Sequence, residues 1–559
     1  MSRVPGGDSR IDAVVAYHEV TKHHLRGYAP GPGYLDWDAQ PDPFRRWRPA
    51  AALELPLIDG GGPGSFDALH LQPARPQPVD ERSLGLFLEL ALGLSAWKRL
   101  GAERWALRNN PSSGNLHPTE GYLLLWRAVS ATITPGLYHY APHEHALERR
   151  AELPAAAARA LERAHPRSFG AIAWSSIVWR EAWKYGARAY RYCQLDVGHA
   201  LGAARYAAAA LGWALRADPE PGDEQLAGLL GLDRDADFAG AEPEQPEMIA
   251  LIGEGVDDAP DWAVLAAAWS HWQGQASRLS AESVVWPQIA RVMPATVKPD
   301  LVMQRAWPAP TQPGAVAPAV RDVDAASLIR SRRSAQRMDA TTGISAASFR
   351  RVLARTLAAR GAVPFDAFPY PPAIDLAVFA HRVDGLDPGL YVLPRGGERG
   401  RSLLQAIGGS ERAAQSLAGD AVPLHRVRAP ADLRHTASGL SCHQGIAGHG
   451  AFALAMLADL GQVLRDEGAW AWRRLHWEAG LIGQVLYLEA EAAGLQGTGI
   501  GCFFDDEVLS VLGLASDVRA RWQVIYHFTV GRALDDARLL SESAHGHLAA
   551  RRWTAGGWS

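Results

Sequence analysis

Cysteine is scarce in this sequence. The 559 residues include three widely spaced cysteines, Cys193, Cys442 and Cys502, and no Cys-x-x-Cys pair, so neither a disulfide framework nor a zinc ribbon is supported. No uninterrupted apolar run approaches the ~18–20 residues that span a bilayer, and the first residues lack the apolar segment of a secretory signal. These absences predict a cytoplasmic protein with no membrane partner.

An excess of charge of either sign is also lacking. The 56 Lys and Arg residues nearly balance the 60 Asp and Glu residues, for a net charge of −4. A non-specific nucleic-acid binder carries a large basic excess, so no nucleic-acid partner is expected. Hydrophobic residues make up 48% of the chain and charged residues 21%, a composition that excludes a disordered or fibrous protein.

Two long segments of the chain resemble each other. A single ungapped alignment of residues 183–232 with residues 466–514 pairs Arg191 with Arg473, Asp196 with Glu478, Gly198 with Gly480, and Gly212 with Gly494. Pro135-Gly136-Leu137-Tyr138 also recurs as Pro388-Gly389-Leu390-Tyr391. An ungapped match of this length indicates two diverged copies of one domain.

Each copy has the same predicted architecture. After the shared glycine, residues 197–215 and 481–495 carry apolar side chains at helical spacing and few charges, which predicts a central, buried helix in each copy. Strand-like runs at 122–126, 375–379 and 522–530 make the predicted fold α+β, twice. The proline-rich stretch 286–322 is predicted to be an extended linker or wrapping arm between domains 1–285 and 323–559.

Four short motifs suggest chemistry. The sequence PSSGNLHP at 111–118 offers polar groups to the edge of a flat heteroaromatic, or is an ordinary polar turn. The sequence SLIRSRRSAQR at 327–337 suits phosphate, or is a solvated helix start. The sequence GLQGTGIG at 494–501 lets the backbone approach a ligand closely, and Gly531-Arg532 ends a strand with another candidate phosphate arginine.

Taken together and in this order, the motifs resemble the nitroreductase superfamily of FMN enzymes. The resemblance implies an intramolecular pseudo-dimer of two nitroreductase-like domains, with FMN at their interface. It implies ring contacts from Pro111, Ser112, Ser113 and Asn115. It implies phosphate contacts from Arg332, Arg333, Ser334, Arg337 and Arg532. It implies backbone contacts near the pyrimidine from Gly497, Gly499, Ile500 and Gly501.

Two further stretches resemble one branch of that superfamily. AYHEVTK (16–22) and WKYGARAYRYCQLDVGH (183–199) look like the SagB/McbC flavin dehydrogenases, which oxidise azolines to azoles in peptide natural products. The resemblance implies that Lys184 and Tyr185 are catalytic, each lowering the other's pKa so that one removes a substrate proton. The structural alternative is an interfacial helix turn with a snorkelling lysine.

Each copy keeps a different half of the superfamily pattern. The first copy keeps the 111–115 loop, but has Leu215–Pro219 in place of the glycine turn and Glu254 in place of Arg532. The second copy keeps the phosphate elements, but has Pro369–Ala373 in place of the flavin loop. Paired as a pseudo-dimer, the copies are predicted to form one FMN site per chain.

The predicted function is FMN-dependent hydride transfer to or from a small or peptide-derived heterocycle. Two alternatives stay open: an NAD(P)H-dependent reductase of nitro or quinone-type acceptors, and a flavin-binding scaffold protein of a biosynthetic complex. His435, Cys442, His443 and His449 match no standard zinc spacing, so no metal is predicted.

Overall fold

The structure is a computed structural model that describes residues 7–70, 74–302, 316, 318–321, 323–359, 361–408, 422–516 and 521–553. It contains two α+β domains, one after the other along the chain. A large apolar cluster includes side chains of both domains, so the two domains share one central core. Within the described residues, no helix combines the length and apolarity needed to cross a membrane.

The first domain is built on a seven-stranded antiparallel sheet. Its helices are α1 (Gly7–Val20), α2 (Glu81–Leu92), α3 (Ala155–Ala164), α4 (Val178–Tyr185), α5 (Ala189–Ala210), α6 (Asp223–Leu230), α7 (Trp262–Ala268) and α8 (Pro287–Ala295). Its strands are β1 (Trp47–Arg48), β2 (Ala52–Glu54), β3 (Leu57–Ile58), β4 (Leu94–Leu100), β5 (Glu103–Arg108), β6 (Thr119–Leu125), β7 (Gly136–Ala141), β8 (Ala146–Glu152), β9 (Ser168–Ser176), β10 (Ala214–Ala217), β11 (Gln245–Gly253) and β12 (Gln275–Ala276). The sheet order is β10-β11-β9-β6-β7-β8-β2.

The second domain repeats this plan with a six-stranded antiparallel sheet. Its helices are α9 (Ala325–Ser331), α10 (Ala346–Arg355), α11 (Glu398–Ala406), α12 (Leu433–Leu440), α13 (Ile446–His449), α14 (Leu460–Glu467), α15 (Ala471–Ala492) and α16 (Asp505–Val511). Its strands are β13 (Ile374–Ala380), β14 (Gly389–Leu393), β15 (His425–Val427), β16 (Phe452–Ala458), β17 (Gln496–Ile500), β18 (Gln523–Gly531), β19 (Leu540–Glu542) and β20 (Arg552–Trp553). The order β15-β14-β13-β16-β18-β17 matches that of the first sheet.

The duplication predicted from the sequence is confirmed element by element. Helices α5 and α15 each have 22 residues and begin 282 residues apart, and α4 and α14 have the same offset and equal lengths. Both shorter helices end at a glycine with positive φ, Gly186 at 55° and Gly468 at 91°. Every residue of α5 and α15 is buried, as their apolar patterns predict.

The two central helices cross at their equivalent glycines. A β-carbon on Gly198 would overlap the carbonyl oxygen of Trp477, and one on Gly480 would overlap that of Leu195. Only glycine allows backbones to approach this closely. The crossing therefore lies on the local pseudo-two-fold axis that relates the two copies.

Buried ion pairs follow the same two-fold relation. Arg191 of the first domain pairs with Asp505 of the second, at 2.9 Å. The equivalent Arg473 pairs with Asp223 of the first domain. Each domain thus presents the same surface to the other, as expected for an isologous interface, and the chain is an intramolecular pseudo-dimer.

The proline-rich stretch differs from its prediction. Residues 287–295 form α8, which packs against α1 and buries Ile289 and Val292. Pro287 occupies the start of this helix, where a missing amide hydrogen costs no helical hydrogen bond. Residues 303–315, 317 and 322 of the predicted linker lie outside the described residues.

Both ends of the described chain cross between the domains. Strand β19 pairs with β4, and β20 pairs with β3, so the last segment of the second domain lies on the first. In the other direction, Lys22 pairs with Asp506 at 2.8 Å. These crossings hold β4 beside the site described below.

Candidate flavin site

A cavity of about 770 Å³ lies between the two domains. The first domain contributes the loop before β6 and the edge of β4. The second contributes the segment after α9, strand β17 and the residues after β18. Of the residues predicted as cofactor contacts, the wall contains Pro111, Ser112, Ser113, Asn115, Arg332, Arg333, Ser334, Gly499 and Arg532.

Among the arginines that the second domain contributes to the cavity, Arg332 is the most deeply buried. The residue is 3% exposed. Its Nε donates to the carbonyl of Asn109 at 3.2 Å and its Nη2 to that of Arg108 at 2.8 Å. Its third nitrogen, Nη1, is buried with no hydrogen-bond partner. Burial lowers the pKa of Arg332, and an anion in the cavity would satisfy both the free nitrogen and the charge.

Arg333 adds a second positive charge beside it. Its Nη2 donates to the carbonyl of Ser95 in the first domain at 2.9 Å. Burial, together with the neighbouring charge of Arg332, lowers its pKa to about 10. Neither arginine forms an ion pair with another described residue. The charge of Glu491 acts on both, but burial raises the pKa of that carboxyl, so it offsets the positive charge only in part.

The segment bearing the arginines is joined to strand β17 by backbone pairing. Ser334 and Gly497 form a parallel bridge, and the amide of Ala335 donates to the Gly497 carbonyl at 3.1 Å. The hydroxyl of Tyr487 accepts the Gly499 amide at 2.9 Å and lies 2.9 Å from the Ser334 hydroxyl. Tyr487 therefore fixes the two segments relative to each other.

The loop from the first domain has an unusual backbone. Gly114 has φ of 63° and Asn115 has φ of 58°, a backbone region that residues other than glycine rarely adopt. The hydroxyl of Ser112 accepts the amide of His117 at 2.9 Å, which closes the turn. The loop thus presents polar groups of residues 112–115 to the cavity in a fixed arrangement.

Two buried carboxyl groups converge on Ser112. Its hydroxyl lies 3.4 Å from Glu181 Oε1, and the carboxyl of Asp196, which lines the cavity, is also close to it. Burial raises the pKa of Asp196 to about 8. Burial and the charge of Asp196 raise the pKa of Glu181. The pair accordingly retains at least one proton at neutral pH, because two adjacent buried carboxylates repel each other.

Lys184 and Tyr185 lie directly behind this loop. A β-carbon built on Gly114 would be 2.6 Å from the Tyr185 hydroxyl and 3.1 Å from Lys184 Nζ. Neither residue is part of the cavity wall. Burial and the nearby Glu181 raise the pKa of Tyr185 well above its usual value, which differs from the mutual lowering expected from the sequence. Tyr185 is therefore a neutral phenol and a hydrogen-bond donor.

Four predicted cofactor contacts also lie off the wall. Arg337 is exposed, and its carbonyl accepts the amide of Leu534, while its neighbour Gln336 lines the cavity. Gly497 is turned toward Ala335, and Ile500 is buried in the second domain's core. A β-carbon on Gly501 would overlap the Tyr192 ring. For these four residues, cofactor contact stays a prediction.

The sequence also matches a known protein family. A family model described as the nitroreductase family matches residues 73–253 and 392–532, more than half of the chain and one region in each domain. The chain belongs to the nitroreductase family. No curated protein is found as a sequence relative.

Solved structures extend the comparison for this nitroreductase. A crystal structure assigned to a nitroreductase of Anabaena variabilis ATCC 29413 is 22% identical with a TM-score of 0.66, covering 93% of this chain and 99% of its own. That similarity establishes the fold across both domains. The E. coli microcin synthetase McbBCD complex with truncated pro-MccB17 bound is 21% identical over 36% of this chain and 69% of its own, with a TM-score of 0.25. A crystal structure assigned to a nitroreductase of Exiguobacterium sibiricum 255-15, in complex with FMN, is 13% identical with a TM-score of 0.23, covering 39% of this chain and 91% of its own.

Several wall residues of this nitroreductase were not predicted from its sequence. They are Lys98, Arg108, Asp196, His199, Tyr487 and Tyr526. Asp196 and His199 lie one helical turn apart on α5, so their side chains share one face of the helix. They belong to the same stretch, 183–199, as Lys184 and Tyr185, and this spacing is the sequence signal that could have identified them. Burial lowers the pKa of His199 to about 3, so its imidazole is neutral.

A second cavity occupies the pseudo-symmetric position. It has a volume of about 840 Å³ and is formed by β10, the equivalent of β17, and by Pro369 of the second domain. Its wall carries one arginine and five carboxylates, Arg216, Asp218, Glu220, Asp258, Asp261 and Asp300. Glu254, the equivalent of Arg532, lies 3.8 Å from Arg127. This carboxylate-rich wall disfavours a phosphate.

Among the described residues, three potential metal ligands come together at one place, Glu19, His24 and Asp506. The ammonium of Lys22 lies 2.9 Å from Glu19 and 2.8 Å from Asp506. It already neutralises these carboxylates. His435, Cys442, His443 and His449 do not form such a group.

Proposed function

We propose that this nitroreductase is an FMN-dependent oxidoreductase with one FMN site per chain, in the cavity between its domains. The observation that carries the proposal is the composition of that cavity. It brings the polar loop of the first domain together with the arginines of the second. Its wall has five basic side chains against four carboxyl groups, whereas the wall of its twin has one arginine against five carboxyl groups.

The residues present fit FMN. A volume of about 770 Å³ falls within the range of about 300–1,000 Å³ typical of small-molecule sites. Arg332 directs a buried, unpartnered nitrogen at the cavity, and Arg333 and Arg532 add positive charge. Charge-assisted hydrogen bonds from arginine suit a phosphate monoester. At the other end, Ser112, Ser113 and Asn115 suit the polar edge of the isoalloxazine.

FMN bound here would supply hydride-transfer chemistry, and the chain would supply orientation and electrostatics. Arg332, Arg333 and Arg532 would hold the phosphate. The hydroxyls of Ser112 and Ser113 would orient the ring, and Tyr487 fixes the backbone of Gly499 in the cavity wall. The sheet edge and the two central helices keep these groups in place across the domain interface.

For the substrate step, we assign the proton-accepting role to Lys184 and the donating role to Tyr185. Tyr185 keeps its proton because its pKa is raised, so it orients a substrate by hydrogen bonding. Glu181, one helical turn before Tyr185, lies near Lys184, and burial raises the pKa of this carboxyl. A neutral Glu181 does not hold Lys184 in its protonated form, which is compatible with dehydrogenation of a small or peptide-derived heterocycle, as in the SagB/McbC branch.

One observation favours a second candidate. Lys184 and Tyr185 contact the cavity only through Gly114 and do not line it. A reductase that takes hydride from NAD(P)H and passes it to a nitro or quinone-type acceptor requires no such base. The two candidates differ in whether turnover depends on this pair.

The cofactor assignment is tested by flavin release. Purified protein is denatured with acid, and the released flavin is identified and counted against protein. We expect FMN at one per chain after reconstitution. Two per chain would contradict the single-site proposal, and no binding of added FMN would contradict the cofactor itself.

The roles of Lys184 and Tyr185 are tested with Lys184→Ala and Tyr185→Phe. Both variants should keep their FMN content, while flavin reduction by an azoline substrate slows about 10²–10⁴-fold, the usual contribution of a positioned acid or base. Asp466→Asn is the matched control, because Asp466 is the equivalent of Lys184 on α14. Unchanged reduction of a nitroaromatic with NAD(P)H in all three variants, without azoline activity in the wild type, would favour the second candidate.

A further inference from the structure

Two cysteines of the second domain lie side by side. Cys442 follows α12 and Cys502 follows β17, and both are partly exposed. The amide of Phe504 donates to the Leu440 carbonyl at 2.8 Å, and the Gln444 side chain donates to the Cys502 carbonyl at 3.3 Å. These bonds hold the two loops together, and the two thiols lie close enough for each to shift the pKa of the other.

A histidine from the first domain completes the cluster. His23 accepts the amide of Ala29 at its Nδ1, at 2.9 Å. The neutral ring therefore carries its proton on Nε2, and the imidazole lies close enough to Cys502 to lower the pKa of that thiol. Burial lowers the pKa of His23, which keeps the ring neutral. Its bridge to Phe504 fixes it across the domain interface.

Positive charge also faces this sulfur. The guanidinium of Arg188 donates from Nε and Nη2 to the carbonyl of Gly501, at 3.2 and 3.0 Å, next to Cys502. The neighbouring Cys442 thiol, followed by His23 and Arg188, lowers the pKa of Cys502 to about 5 against the opposing effect of burial. The neighbouring Cys502 sulfur and burial raise the pKa of Cys442. Of the two sulfurs, Cys502 therefore has the neighbours that stabilise a thiolate.

We propose that Cys502 and Cys442 form a peroxide-sensitive dithiol that closes reversibly to a disulfide, with Cys502 as the attacking and Cys442 as the resolving residue. The oxidant is a hydroperoxide, such as the hydrogen peroxide released when reduced flavins react with oxygen. This site is separate from hydride transfer, and its chemistry does not require the proposed function to hold.

The chemistry balances in two steps. The Cys502 thiolate attacks one peroxide oxygen, the O–O bond breaks, and, with one proton taken up, a sulfenic acid and water form when the peroxide is hydrogen peroxide. The Cys442 sulfur then attacks the sulfenic sulfur, and the S–O bond breaks, releasing a second water as the S–S bond forms. Two electrons pass from the two sulfurs to the peroxide. An added dithiol reverses the change by exchange.

Cys193 provides an internal control. It lies on α5, fully buried, and burial raises its pKa. A buried thiol without a stabilised thiolate is inert to peroxide. Oxidation should therefore spare Cys193.

The test oxidises the purified full chain with hydrogen peroxide and counts thiols after denaturation. The three cysteines of the wild type should fall to one free thiol, with a Cys442–Cys502 cross-linked peptide in the digest, and dithiothreitol should restore all three. From pH 6 to pH 8 the rate should change less than about twofold, against roughly 80-fold for a thiol of ordinary pKa.

Variants assign the two roles. Cys442→Ser should accumulate a sulfenic acid at Cys502 that dimedone traps, Cys502→Ser should leave Cys442 unreacted, and Cys193→Ala should behave as the wild type. Three free thiols persisting in the wild type, or a cross-link that includes Cys193, would overturn the proposal. So would a rate that rises with pH as for an ordinary thiol.

Discussion

Reversing the charge of Arg532 should release FMN while leaving the fold intact. Arg532 follows β18 at the rim of the cavity, and its side chain is exposed. Its carbonyl accepts the amide of Asp339. Its guanidinium has no ion pair or hydrogen bond with any described residue. Substitution therefore removes a charge from the site without breaking a contact that the fold uses.

The size of the effect follows from Coulomb's law. Two unit charges about 4 Å apart in water-like surroundings interact by about 1 kcal/mol. A phosphate near its second ionisation carries up to about two charges, so Arg532→Ala should cost about 2 kcal/mol and Arg532→Glu about 4 kcal/mol. These values correspond to a Kd raised about 30-fold and about 1,000-fold.

The assay is titration of apoprotein with FMN, followed by quenching of flavin fluorescence. The difference between the two variants should shrink as ionic strength rises from ~0.1 M to ~1 M, since the Debye length falls from ~10 Å to ~3 Å. Glu254→Arg, the exchange at the equivalent position of the first domain, is the control and should add no second site. Equal Kd values for wild type and Arg532→Glu would refute the assignment of the phosphate end.

Two further predictions concern the loop and the core of the first domain. Gly114→Ala should weaken FMN binding at least about tenfold, because its β-carbon would press on Tyr185 at 2.6 Å; Gly101→Ala, with a similar φ of 60° and open space around it, controls for backbone strain and should bind normally. For His139, burial disfavours the charge, but hydrogen bonds with Glu120 and Glu148 outweigh it and raise the pKa to about 9. The folded chain then binds more protons than the unfolded chain between about pH 6.5 and 9, so stability should fall by about 3 kcal/mol across that window. Urea unfolding at stepped pH measures this loss, and a His139→Gln variant that shows the same slope would contradict it.

The sequence by itself determined the duplication and the type of each domain. Residues paired by the ungapped alignment, such as Gly198 with Gly480, occupy equivalent places, because two copies of one domain that adopt the same fold place aligned residues at the same positions. The buried central helices and the main strands were also predictable, since apolar periodicity records how much of each element meets solvent. The polar loop at 111–115 and the arginines at 332–333 were readable as local motifs.

Only the tertiary structure decided how those motifs combine. It placed Lys98 and Asp196 on the cavity wall, turned Arg337 away from it, and put Lys184 and Tyr185 behind Gly114 rather than beside the cavity. It also buried Tyr185 near Glu181, which raises the pKa of the phenol, and buried Glu181 near Asp196, which leaves the carboxyl pair partly neutral. A pKa depends on burial and on charges from distant parts of the chain, and neither quantity is encoded in the spacing of neighbouring residues. The same reason explains Cys442 and Cys502, which are far apart in sequence and which the fold of the second domain brings together, with His23 of the first domain beside them.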